Sequence, residues 1–211
     1  MKNRIIDLIE RYPILTPCSD AIENTYRLLE ECYKKGNKML LAGNGGSFAD
    51  ADHIVGELMK GFEKRRPISK ELKNQLLQID PLIGEGLSSS LQMGLPAINL
   101  GNHQSLNSAF LNDVKNGDLY IFAQQVLGYG KEGDVLFAIS TSGNSKNIIN
   151  AVVVAKALGM KTIALTGKDG GNLAPLCDVA IIVPLFETYK IQECHLPIYH
   201  TLCLMLEDTF F

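Results

Sequence analysis

Short unbroken apolar runs alternate along the chain with longer stretches in which apolar residues recur every three or four positions. The runs fall at 38–42, 95–100, 135–139, 161–166 and 179–183 and predict strands, the continuous 135–139 run being of the sort buried on both faces. Between and after them, the spacing predicts helices over about 47–61, 118–128, 146–159 and 188–209, with a loop and helix region from 100 to about 113. Ahead of the first run, Ile5, Ile6, Leu8 and Ile9, then Ile22, Tyr26, Leu28, Leu29 and Cys32, predict helices over 2–12 and 17–36, broken at Pro13 and Pro17. These helices have no crossover to make and are expected to pack on a partner subunit. Strands alternating with helices at this spacing predict an α/β three-layer sandwich, a parallel sheet with its ligand at the carboxyl ends of the strands.

Residues 63–95 break the rhythm. Pro67, Pro81, Gly84, Gly86, the serines at 88–90 and Gly94 interrupt two weakly helical pieces, an excursion expected to serve as a lid, a rim or an oligomer contact.

The first run ends in Gly43-Asn44-Gly45-Gly46-Ser47, where a strand turns into a helix. Gly45 and Gly46 let backbone N–H groups approach an anion, and Ser47 is placed to cap a helix whose N-terminus favours negative charge. The spacing matches neither the dinucleotide fingerprint nor the phosphate loop ending in Gly-Lys-Ser/Thr. On that helix His53 and Glu57 are four apart and share a face, as a metal or proton-transfer pair requires. A second loop, Ser140-Thr141-Ser142-Gly143-Asn144-Ser145, follows the third run and offers several uncharged donors to one phosphate; it is no Gly-x-Ser-x-Gly nucleophile elbow. On the last helix Gln192 and His200 lie two turns apart on nearly one face, with Gln192 and His195 a closer alternative. His and Gln beside His53 and Glu57 would make a mixed N and O site that suits zinc. A lone histidine on an amphipathic helix is more often a packing residue, which is the reading for His103 and His195.

Composition narrows the partners. The 211 residues are 46% apolar and 20% charged with a formal net charge of −3, enough for one full core. Twenty basic residues against 23 acidic ones give no nucleic-acid footprint, and Lys64-Arg65-Arg66 reads as a solvated surface segment. No run of about 18 apolar residues and no leader-like N-terminus occurs, so a soluble, cytoplasmic chain with no membrane partner is expected. Cys18, Cys32, Cys177, Cys194 and Cys203 form no Cys-x-x-Cys pair and are expected as buried thiols.

The two loops, together with Thr166-Gly167-Lys168-Asp169-Gly170-Gly171 and Ile191-Gln192-Glu193, resemble the sugar isomerase (SIS) domain and, within it, the phosphoheptose isomerase family. The resemblance covers the whole chain as a single domain, except an insertion at 64–94 and a poorer fit after Asn112-Asp113. It implies a five-stranded parallel sheet of flavodoxin-like order, a homotetramer with sites at subunit interfaces, and one zinc ion per subunit. It also implies conversion of sedoheptulose 7-phosphate to D-glycero-D-manno-heptose 7-phosphate, feeding nucleotide-activated heptose and surface carbohydrate. Carried over by motif, Asn44, Gly45, Gly46 and Ser47 touch the sugar, Ser140, Thr141, Ser142 and Ser145 hold the phosphate, and Asn112 and Asp113 match a substrate pair. His53, Glu57, Gln192 and His200 are the zinc ligands, Glu57 and His200 the catalytic pair, and Gln192 and Glu57 also meet substrate. The insertion follows the active-site helix and leaves another phosphosugar open. The alternative from a different class is a non-catalytic SIS protein binding a replication initiator or other partner, and such a scaffold has no reason to keep His53 and Glu57. A sugar-sensing module of a regulator is weakened because no DNA-binding domain is attached.

Overall fold

The apolar runs become five strands in the computed structural model, which describes residues 4–211: β1 (Met39–Gly43), β2 (Ala97–Asn99), β3 (Val135–Ser140), β4 (Lys161–Gly167) and β5 (Val179–Val183). Residues 2 and 3 of the first expected helix lie outside the described residues. All strand pairs are parallel in the order β2-β1-β3-β4-β5, the flavodoxin-like arrangement. Gly43 pairs with Ile139 and Ser140 with Thr166, so the glycine loop and the serine-rich loop leave the sheet side by side.

The helices of the described residues are α1 (Arg4–Arg11), α2 (Ser19–Lys34), α3 (Gly46–Met59), α4 (Lys70–Ile79), α5 (Pro81–Ser90), α6 (Gln104–Asp113), α7 (Ile121–Tyr129), α8 (Lys146–Ala157) and α9 (Thr188–Phe210). Successive strand side chains point to opposite faces, so one sheet makes two cores. Met39, Leu41, Phe137, Ile139, Ile163 and Leu165 pack with α2, α3 and α9, while Leu40, Ala42, Leu136, Ala138 and Ala164 pack with α7 and α8.

The N-terminal helices also pack within the chain. Ile22 and Leu29 of α2 are buried in the first core, and α1 lies along α9 with Leu8 buried. Of the helices on that face α3 makes a crossover, while α2 before the first strand and α9 after the last complete the layer within the chain. Residues 13–18 form a 3-10 turn ahead of α2 rather than the first turn of one long helix.

The excursion is a helical hairpin. Ser69 caps α4 by accepting from the Leu72 N–H, and Asp80 caps α5 by accepting from the Leu82 and Ile83 N–H groups, with Pro81 at the first helical position. Its base is closed by a bridge between Pro67 and Gln92 and by the Met93 N–H donating to the Arg66 carbonyl. Ile79 and Leu82 at its tip are 84% and 87% exposed.

Arg66 corrects the reading of the basic triplet as solvated: it is 1% exposed and paired with Glu207, also 1% exposed. Lys64 pairs with Asp208, and Arg65 donates to the Ser89 carbonyl. The five cysteines are free thiols, four of them buried and Cys177 partly exposed. No helix among the described residues is long and apolar enough to cross a membrane.

Candidate active site

Two helices that leave the same end of the sheet build the site. α3 follows β1 and α9 follows β5, and they run side by side in the same direction on one face. Their matched positions follow in order: Gly46 against Gln192, His53 against Tyr199 and His200, and the backbone after α3 against Glu207. Gly46 has a packing role beside its backbone one, because a Cβ there would collide with the Gln192 amide.

The helix cap also differs from expectation. α3 begins at Gly46 and its cap is Gly45 at φ 53, a left-handed conformation that glycine adopts without cost, whereas Ser47 is already helical and buried.

His53, Glu57 and His200 converge, their ligand atoms all within 4.8 Å of one another, and no other trio of His, Cys, Asp or Glu does so among the described residues. His53 Nε2 lies 3.2 Å from Glu57 Oε1 and 3.4 Å from His200 Nε2. Glu57 Oε2 is buried with no hydrogen-bond partner, and Lys60 Nζ stands 3.6 Å from it. Burial, followed by the neighbouring His53, pushes the His200 imidazole below its usual value, with Glu57 partly opposing. A neutral imidazole, a second one facing it and a carboxylate oxygen without a donor form a donor set suited to a divalent cation. Gln192, with its amide over Gly46, is two turns along the same helix from His200.

Sequence reasoning passed over two residues here. The Tyr199 hydroxyl lies 3.0 Å from His53 Nδ1 and 3.3 Å from Asp50 Oδ1. Burial, then the adjacent Asp50, push the phenol above its ordinary value, so it keeps its proton. The signal was available for Asp50, three residues before His53 on a helical face, but not for Tyr199, which reads as core.

The phosphate-type loop lies beside the glycine loop. Ser145 caps α8, and its hydroxyl is 3.0 Å from that of Ser140; Ser142 accepts from the Asn144 N–H; Thr141 is half-buried. Asn44 and Asn147 exchange two amide hydrogen bonds of 3.0 Å and so tie the loops together. Asn112 and Asp113 are exposed at the end of α6 and bonded to each other at 2.9 Å; no hydrogen bond joins them to either loop among the described residues. His195, the alternative to His200, is fully buried with Nε2 3.3 Å from the Thr166 carbonyl, and His103 meets the Tyr129 hydroxyl at 2.9 Å.

Comparison with known proteins places this geometry. The SIS domain model matches residues 81–167. The phosphoheptose isomerase of Aneurinibacillus thermoaerophilus is 40% identical over 198 residues, covering 90% of this chain and 86% of its own length. That of Nitratiruptor sp. is 42% identical over 180 residues, covering 85% and 81%. Among solved structures, the phosphoheptose isomerase of Neisseria gonorrhoeae superposes with a TM-score of 0.73 at 32% identity, covering 97% of this chain and 93% of that one.

Proposed function

Since this chain belongs to the phosphoheptose isomerase family, and so is a phosphosugar aldose–ketose isomerase, we propose that it converts sedoheptulose 7-phosphate to a heptose 7-phosphate through an enediol, with one zinc ion held by His53, Glu57, Gln192 and His200. The observation that carries the reading is the convergence of His53, Glu57 and His200 between α3 and α9, with α3 leading away from the glycine loop that lies beside the serine-rich loop.

Each residue has a task that its surroundings suit. The phosphate sits among the hydroxyls of Ser140, Thr141, Ser142 and Ser145 at the N-terminus of α8, whose free N–H groups favour an anion. Asn44, Gly45, Gly46 and Ser47 line the sugar's path between that loop and the cluster, and Asn112 and Asp113 complete substrate binding. Glu57 takes the proton from the carbon beside the carbonyl and returns it to the neighbouring carbon; its Oε2 has no hydrogen-bond donor to satisfy first. His200, kept neutral by burial and by His53, moves the hydroxyl proton. Zinc, when bound, supplies Lewis-acid polarisation of the sugar oxygens. The whole chain acts as one domain within a homotetramer, whose mass light scattering would give.

The test is incubation of the metal-analysed protein with sedoheptulose 7-phosphate in heavy water, followed by NMR. An aldose product carrying deuterium at C2 is expected, and Glu57→Gln should lower turnover by about 10²–10⁴-fold. No exchange by a protein that binds both metal and phosphosugar would assign another sugar, admitted by the hairpin that starts just beyond α3. No metal and no exchange would overturn the isomerase site.

A further inference from the structure

We propose that Asp50 and Tyr199 form a hydrogen-bonded relay that positions His53, fixing its ring so that the Nε2 lone pair, and not an N–H, faces Glu57 and His200. The inference rests on the zinc reading above and deepens it, because it assigns two residues of the metal site that touch neither the ion nor the substrate.

The direction of the relay follows from counting protons. A phenol has one. Tyr199 Oη stands between Asp50 Oδ1, at 3.3 Å, and His53 Nδ1, at 3.0 Å. When the phenol donates to the carboxylate, its oxygen is left to accept from a protonated Nδ1, and the neutral imidazole then carries its lone pair on Nε2. In the opposite direction the phenol would donate to Nδ1, no proton would lie between the phenolic oxygen and the Asp50 carboxylate, and Nε2–H would point into the cluster and exclude a cation. Only the first direction makes His53 a ligand.

The framework holds this arrangement closely. Tyr199 is 1% exposed, and its ring meets that of His53 edge-on at 5.5 Å between centroids. Asp50, His53 and Glu57 fall on one face of α3, and Tyr199 and His200 are consecutive on α9. Two adjacent residues of one helix therefore grip the imidazole of the other from both of its nitrogens. Asp50 Oδ2 is buried without a partner, so the contact of Oδ1 with Tyr199 is the hydrogen bond that occupies this carboxylate. Partners of this type on the non-ligating nitrogen orient metal-binding histidines and are worth about 10–100-fold in metal affinity.

The experiment measures zinc affinity by chelator competition for the wild type, Tyr199→Phe, Asp50→Ala and His53→Ala, with cobalt absorption spectra and metal-free melting curves alongside. Tyr199→Phe keeps the ring and loses only the hydroxyl, and it should weaken zinc by about 10–100-fold, alter the cobalt spectrum and leave the metal-free melting curve close to wild type. Asp50→Ala should weaken zinc in the same direction. Tyr199→Phe binding zinc as tightly as the wild type would overturn the relay. Wild type and His53→Ala binding zinc equally would instead remove the metal site itself, a result that separates failure of the zinc reading from failure of the relay.

Discussion

His53 and His200 are 147 residues apart in sequence, and their Nε2 atoms face each other at 3.4 Å. Glu57 Oε1 stands 3.2 Å from the same His53 nitrogen, so three potential ligand atoms face one space that a divalent cation can fill. Zinc at about 100 times its dissociation constant should therefore stabilise the fold by about 2.7 kcal/mol, seen as a rise in melting temperature. His53→Ala and His200→Ala should each abolish that rise, and a rise that survives both would place the ion elsewhere.

The hydroxyls of Ser140 and Ser145 sit 3.0 Å apart, and Ser142 accepts from the backbone of its own loop. Replacing Ser142 and Ser145 together by Ala removes two donors to a charged group, each worth about 1.5–3 kcal/mol. Calorimetric titration with the phosphorylated sugar should show binding weaker by at least tenfold, with zinc affinity unchanged. Unaltered sugar affinity would move the phosphate to another loop.

Gly46→Ala tests how closely α3 and α9 approach. The three atoms nearest the added Cβ all belong to the end of the flexible Gln192 side chain, so the amide swings away at little cost in stability. The expected result is a melting temperature near wild type with reduced zinc and sugar affinity. A variant that binds both normally would take Gln192 out of the site.

Much of this was legible in the chain, for identifiable reasons. β3 is apolar from Val135 to Ile139 because both faces are covered, so it stands out without an alignment. His53 and Glu57 were readable as a pair because helical spacing alone puts them together. Their meeting with His200 came from the family resemblance and not from spacing, since it depends on α3 and α9 leaving different strands at one end of the sheet. The cap of α3 was misplaced at Ser47 because the chain resembles a serine cap, while the left-handed Gly45 that does the capping leaves no mark beyond a glycine. Arg66 was hidden in a basic triplet whose other members are exposed or half-exposed, and Glu207 lay at the edge of an apolar run. Neither position announces its partner.

The buried His195 predicts a pH dependence. Burial lowers its pKa to about 4 from an ordinary 6.5, with the Thr166 carbonyl acting weakly in the opposite sense. Between those values the unfolded chain binds a proton that the folded one does not. Stability is therefore retained above about pH 6.5 and lost as the pH falls toward 4, by up to about 3 kcal/mol. Urea unfolding of wild type and His195→Gln should show the gap between them shifting in favour of the variant as pH falls across this window. A pH-independent gap would mean that His195 titrates in the fold as it does in the unfolded chain.

Arg66 and Glu207 form the most buried ion pair described, and they govern how the end of α3 is held. Glu207 accepts from the N–H groups of Phe62, Glu63 and Lys64 and pairs with Arg66 at 2.9 Å. Burial alone would raise its carboxyl pKa, but the backbone N–H groups and the guanidinium outweigh it and hold the group below the usual range. Arg66 in turn donates to the carbonyls of Leu58 and Glu57. Glu207→Leu strands a buried guanidinium and three N–H groups at once, which should cost about 3–5 kcal/mol in urea unfolding. Glu207→Gln keeps an acceptor for part of the set and should cost less. Because Arg66 holds the carbonyl of Glu57, Glu207→Gln should also lower turnover while the folded fraction stays high. Unchanged turnover would confine the pair to stability, and a cost below about 1 kcal/mol for Glu207→Leu would mean that water enters this pocket.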